Sequence, residues 1–270
     1  LENYDWLHLH HEDFTGQYGK FWANYSHETW YINQQLLLEK TASQLGYKKV
    51  SRCKLAVVET IRDYIMKGGF LFAMCTATDT YDIALAAEKT DICDTPFDHD
   101  PIDPNYKSKL DFSKCLAFQN FEVVTNPYTY EHSTIDVTPA GRDGLKGADA
   151  EAFRLFDFSA KFDPVPSMLT QSHTSMIKGF MGQTTGFRKK MVKPAVVILA
   201  EQEGTDIVKY IHGNVGKGFF TFLGGHDPED YQHFVGDPQT DLGLHKNSAG
   251  YRLILNNILF PAAKKQKLKT

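Results

Sequence analysis

The chain has 270 residues, of which 42% are apolar, 23% charged and 13% aromatic, an ordinary globular composition that excludes a disordered, collagenous or coiled-coil protein. Lys and Arg number 29 against 33 Asp and Glu, for a net charge of −4. Lys264, Lys265, Lys267 and Lys269 crowd the last residues, so the remainder is more acidic still, which argues against a nucleic-acid partner. No apolar run approaches the ~18 residues needed to cross a bilayer.

Residues 4–15 (YDWLHLHHEDFT) alternate Trp6, His8 and His10 with Leu7, Leu9 and His11, then turn polar at Glu12 and Asp13, as a strand running into a loop does. Neighbours on a strand face opposite sides, so His10 is expected to converge with Glu12, or His11 with Asp13. Ser51 can cap a helix whose Leu55, Val58, Ile61 and Ile65 recur at helical spacing until Gly68 and Gly69 end it. Residues 70–74 read as a buried strand, and an Ala- and Leu-rich helix should follow Cys75, with Thr78 and Asp79 as capping candidates.

Regularity fades over 90–163, which reads as a long insertion with strands suspected at 116–125 and 152–158. Asp91, Asp94, Asp98, His99, Asp100 and Asp103 form a solvated acidic loop, since Ile102 and Asp103 stand where a calcium loop needs a ligand and a glycine. His173, Lys178 and Gln183 lie in a polar stretch (QSHTSMIKGFMGQTTGF) that is either a substrate loop or an ordinary surface loop. Strands return at 194–201, 206–212 and 218–223, where Gly213, Gly216 and Gly218 supply a hairpin turn. Lys217 is followed by glycine rather than Ser or Thr, which excludes a phosphate loop there. A last helix over 249–260 is capped by Asn247 or Ser248 and stopped by Pro261.

Strand, helix, strand, sharp turn and helix are the grammar of parallel α/β folds, whose reactive groups collect beyond the carboxyl ends of the strands. Three polar clusters fall there: His10 to Asp13, Cys75 with Thr76, and His226-Asp227-Pro228-Glu229. A thiol at a helix N-terminus has its thiolate favoured by the dipole and the free amides. Cys75 is therefore the candidate nucleophile and His226 its base. Asp227 or Glu229 would orient the ring, and the Thr76 N–H would stabilise an oxyanion. The bland alternatives are a small buried cysteine and a loop-capping histidine. Cys53, Cys75, Cys93 and Cys115 are too dispersed for a disulfide framework, which points to a reducing, cytoplasmic setting.

At these residues the chain resembles the ThuA-like proteins, which have the class I glutamine amidotransferase-like fold. The resemblance is carried by YDWLHLHH, IRDYIMKGGFLFAMC, IHGNVGKGFFTFLGGHDPE and GYRLILNNILF in that order, about half the chain, and is closest to the subgroup labelled asparagine synthetase B-like. It implies a flavodoxin-like parallel sheet flanked by helices, with the 90–163 insertion and a C-terminal β-hairpin, as a single domain over 1–270 whose first strand and helix lie upstream. Neither the N-terminal cysteine nor the ATP-binding domain of a true glutamine-dependent asparagine synthetase is visible. The family's Gly-x-Cys-x-Gly turn aligns with Cys75, flanked here by Ala73 and Ala77. Its His-x-Glu pair aligns with His226, where Pro228 occupies the carboxylate position between Asp227 and Glu229.

The leading expectation is Cys-dependent amide hydrolysis of the glutaminase type on a small-molecule substrate, with His10, His11, Glu12 and Asp13 as the facing wall and no cofactor or resident metal. Many ThuA-like members have histidine at the position of Cys75. The rival is therefore a non-catalytic domain that binds a sugar-related ligand or a partner protein. Metal-assisted hydrolysis through His11, Asp13 and His226 is the third reading.

Overall fold

All five side chains of FLFAM are buried, as only a strand covered on both faces can be, and they form the central strand β2 (Phe70–Met74). The computed structural model describes residues 1–137, 152–155, 174–229 and 238–259. β2 lies between β1 (Trp6–Leu9) and β8 (Gly218–Leu223), parallel to both. Beyond β8 the sheet continues through β7 (Ile207–Val215), β6 (Val197–Glu201), β3 (Phe153–Leu155) and β4 (Met176–Ile177), with every ladder antiparallel, while β5 (Phe187–Arg188) pairs with β7.

The sheet is thus mixed rather than wholly parallel. The two-residue link between β7 and β8 is too short for a crossover and fixes them as a hairpin. Its turn is Gly216–Lys217, and the expected turn residues Gly213 and Gly218 lie inside the strands. β3 falls within the expected insertion and joins the sheet beside β6.

The helices are α1 (Trp22–Tyr25), α2 (Thr29–Gln44), α3 (Val50–Lys67), α4 (Thr76–Ala86), α5 (Thr95–Asp98), α6 (Tyr106–Lys109) and α7 (Ala249–Leu259). α3 buries Val58, Ile61 and Ile65 and ends at Gly68, with φ 124°. Lys49, not Ser51, is its cap residue. α4 begins directly after Cys75, as expected, with Cys75 itself rather than Thr78 or Asp79 at the cap position. Ser248 Oγ accepts the Tyr251 N–H at 3.2 Å at the start of α7.

β2 divides two cores. Leu71 and Ala73 face the cluster formed with α3, α4 and Phe222, and Phe70, Phe72 and Met74 face a second cluster with Phe153, Phe180, Tyr210 and Leu253. At ~1.5–3 kcal/mol for each large apolar side chain withdrawn from water, these two layers dominate the stability of the fold.

No strand forms over 116–125. The backbone N–H groups of Leu116, Ala117 and Phe118 donate instead to buried Asp82 at 2.6, 2.7 and 2.8 Å, leaving isolated bridges at Phe118 and Val123. Burial pushes the Asp82 pKa up to about 6 against these donors. The acidic loop folds around one cation, with Lys49 Nζ bonded to Asp91 and Asp100 and 3.0 Å from Asp98. No helix among the described residues is long and apolar enough to span a membrane.

Candidate functional site

Cys75 joins β2 to α4 with φ 52° and ψ −136°, a conformation that costs an L-residue on the order of 1–3 kcal/mol. The surroundings hold it there. Its N–H donates to Leu223 O at 3.1 Å, and its carbonyl accepts the N–H and hydroxyl of Thr78 at 3.0 and 2.6 Å. Ala73 and Ala77 are fully buried, and the backbone strain falls on Cys75 itself.

The thiol is 0% exposed. Burial raises its pKa, opposed by hydrogen bonds to the sulfur from backbone groups of Thr184, Thr76 and Gln183 and from the Thr76 hydroxyl. The resting group is a thiol, not the thiolate expected from the helix N-terminus, because desolvation outweighs the donors.

The facing wall is the segment 178–186. A methyl group placed on Gly182 would stand 2.9 Å from Cys75 Sγ and 2.7 and 3.1 Å from His226 Cδ2 and Nε2, so the thiol and the imidazole both border this residue and leave no room for a side chain there. Lys209 Nζ fixes the segment by donating to Phe180 O at 3.1 Å and to Thr185 O. The turn after β8 adds two bonds, Gly225 N–H to Thr184 O at 2.6 Å and His226 N–H to Met181 O at 2.9 Å. Any side chain at Gly225, where φ is 79°, would strike Phe180 O. His226 is 4% exposed.

His10 and His11 do not diverge. β1 ends at Leu9, so its alternation stops there, and the ring centroids of His10 and His11 lie 4.3 Å apart and 5.4 and 4.4 Å from that of His226. One ring nitrogen of each histidine lies within 4.8 Å of those of the other two, a donor set that can hold a metal ion.

Glu12 and Asp13 serve their own loop. Glu12 Oε2 accepts the His10 N–H at 2.7 Å. The Asp13 carboxylate accepts the Thr15 N–H at 2.7 Å, the Thr15 hydroxyl at 2.6 Å and the Gly19 N–H at 2.8 Å. Burial opposes ionisation of Asp13, but Lys54, His132 and these donors hold its pKa at about 2. The expected pairings of His11 with Asp13 and of His10 with Glu12 are replaced by the three-histidine cluster.

The Glu229 carboxylate lies 3.5 Å from His245 Nδ1. Asp227 accepts the hydroxyls of Tyr251 and Thr240 and, at 3.0 Å, the Glu229 N–H, so it ties its loop to α7.

Several residues of the site carried little or no signal in the sequence. Gln183, named there only within a stretch that could equally be surface, is 7% exposed. It accepts the Thr76 hydroxyl at 3.0 Å and donates to Gly19 O at 2.7 Å and Tyr130 O at 3.2 Å. The Thr184 hydroxyl donates to Asp79 at 3.0 Å. Asp79 Oδ2 and Asp136 Oδ1 are buried and have no hydrogen-bond partner among the described residues. Burial pushes the Asp79 pKa up to about 7, and burial together with the Asp79 charge raises that of Asp136. Glycine density over 179–186 was the one available clue to this wall. Lys178 is exposed, and His173 lies outside the described residues.

No family model matches the sequence, and no curated protein does. Among solved structures, the cytoplasmic protein STM3548 from Salmonella typhimurium is similar over 96% of this chain and 72% of its own, at 12% identity and a TM-score of 0.44.

Proposed function

We propose that the chain is a class I glutamine amidotransferase-like domain of the ThuA-like kind, with a flavodoxin-like core, that hydrolyses an amide or related acyl substrate through Cys75. The observation that carries this reading is the left-handed backbone of Cys75 at a strand-to-helix turn, with its sulfur and the His226 imidazole both bordering Gly182.

Cys75 Sγ attacks the carbonyl carbon as its proton passes to His226 Nε2, and the Thr76 N–H donates to the developing oxyanion. Collapse expels the amine, which takes the proton from His226, and leaves a thioester. Water then attacks this thioester, giving a proton to His226 that returns to the departing thiolate, so acid and thiol are regenerated. Because the resting thiol is neutral and buried, proton transfer to His226 accompanies attack, and the 178–186 segment must move to admit substrate. Free thiols at Cys53, Cys75, Cys93 and Cys115 suit a reducing, cytoplasmic setting. Ammonia release from glutamine by wild type and Cys75→Ala tests the proposal, and equal rates would remove it.

A second reading, a non-catalytic domain that binds a sugar-related ligand or a partner, is favoured by one observation: the thiol is sealed and its pKa is raised. Iodoacetamide labelling at Cys75 separates the two, since a sealed, inert thiol reacts at no pH below its own unfolding.

A further inference from the structure

We propose that His10, His11 and His226 form a binding site for one divalent transition-metal ion, zinc foremost, at the carboxyl end of the parallel strands. The ring nitrogens already lie within 4.8 Å of one another. A tetrahedral zinc with bonds of about 2.0–2.1 Å needs them roughly 3.3 Å apart, a closure reached by small rotations of the rings. Interplanar angles of 58°, 87° and 59° aim the imidazoles from three directions instead of stacking them.

The site is built on the sheet. His10 and His11 directly follow β1, and His226 follows β8, and both strands flank β2 in parallel register. Exposure grades outward from buried His226 through half-buried His10 to exposed His11, leaving a fourth coordination position toward solvent. Three imidazoles without a carboxylate select zinc, cobalt, nickel or copper over magnesium and calcium. Glu12 does not enter the set, because its carboxylate is turned back onto the His10 N–H.

The other candidate group, Asp91, Cys93 and Asp98, already holds the Lys49 ammonium at both carboxylates and is left out. Metal capture stands apart from the thiol chemistry above. It also bears on that chemistry, because a metal on His226 competes with its role as base toward Cys75.

The test is titration of chelator-stripped full chain with Co²⁺, followed by its visible d–d bands, and with Zn²⁺ by calorimetry. One ion per chain with intense tetrahedral bands is expected. Affinity should fall at least tenfold in His11→Ala and in His10→Ala, with no change in Cys75→Ala or Asp91→Asn. His11 is exposed, so its variant keeps the fold, as circular dichroism would verify. Absence of binding, or unchanged affinity in both histidine variants, overturns the proposal. Retained binding in a Cys75→Ala protein without glutaminase activity separates this site from the hydrolase reading.

Discussion

Cys75 and His226 border one point beside Gly182, where an added methyl would stand 2.9 Å from the sulfur and 2.7 and 3.1 Å from Cδ2 and Nε2 of the ring. Gly182→Ala places a methyl group against both side chains and so, on the proposed mechanism, obstructs proton transfer between them. We expect glutaminase activity to fall at least a hundredfold and stability to drop by about 1–3 kcal/mol, the usual cost of overpacking. Paired kinetics and urea unfolding check this, and an alanine variant with wild-type turnover would show that thiol and imidazole do not work together.

The strain at Cys75 predicts an inverted order of substitutions. Glycine adopts φ 52° without penalty whereas alanine does not, so Cys75→Gly should be more stable than Cys75→Ala by about 1–2 kcal/mol although it fills less volume. Denaturant midpoints of the two variants decide, and the opposite order would mean that the turn relaxes in solution.

Gln183 joins three elements, binding the Thr76 hydroxyl, Gly19 O and Tyr130 O. Gln183→Ala removes the amide partner from all three and should cost about 1–3 kcal/mol. Amide hydrogen exchange should rise around 18–20 and 182–185, and protection unchanged at both places would contradict the bridging role.

Asp79 predicts a pH dependence of stability. Burial raises its pKa from the ordinary 3.8 of an aspartate to about 7, so the folded chain binds the proton more tightly than the unfolded one. The stability from this group is complete below the unfolded pKa and is lost as pH rises through the folded one. Asp79→Asn keeps an oxygen for the Thr184 hydroxyl and cannot ionise. Its melting temperature should exceed that of wild type at pH 8, with the advantage gone by pH 4. A pH-independent difference would show that burial does not raise the Asp79 pKa.

The legible parts of the chain were those with dense local signals. β2 is a run of five buried residues, α3 carries an apolar stripe, and the hairpin has Gly216 at its turn. Cys75 and His226 follow the parallel strands β2 and β8, and that placement alone put both at the carboxyl end of the sheet. α2 has no such signal, for its sixteen residues bury only Tyr31 and Ala42. Strand alternation misplaced His10 and His11 because β1 stops one residue before them. Gln183, Asp79 and Asp136 acquire meaning only from partners over fifty residues away in the chain or from charges brought near by folding, which no local periodicity encodes.

The nucleophile assignment is tested most directly by incubating the protein with a chloroketone analogue of glutamine and mapping the modified peptides by mass. The thiol displaces chloride to form a stable thioether. One adduct on Cys75 is expected, much slower in His226→Ala, with buried Cys93 and Cys115 untouched. Labelling confined to half-exposed Cys53, with Cys75 unmodified, would contradict the account.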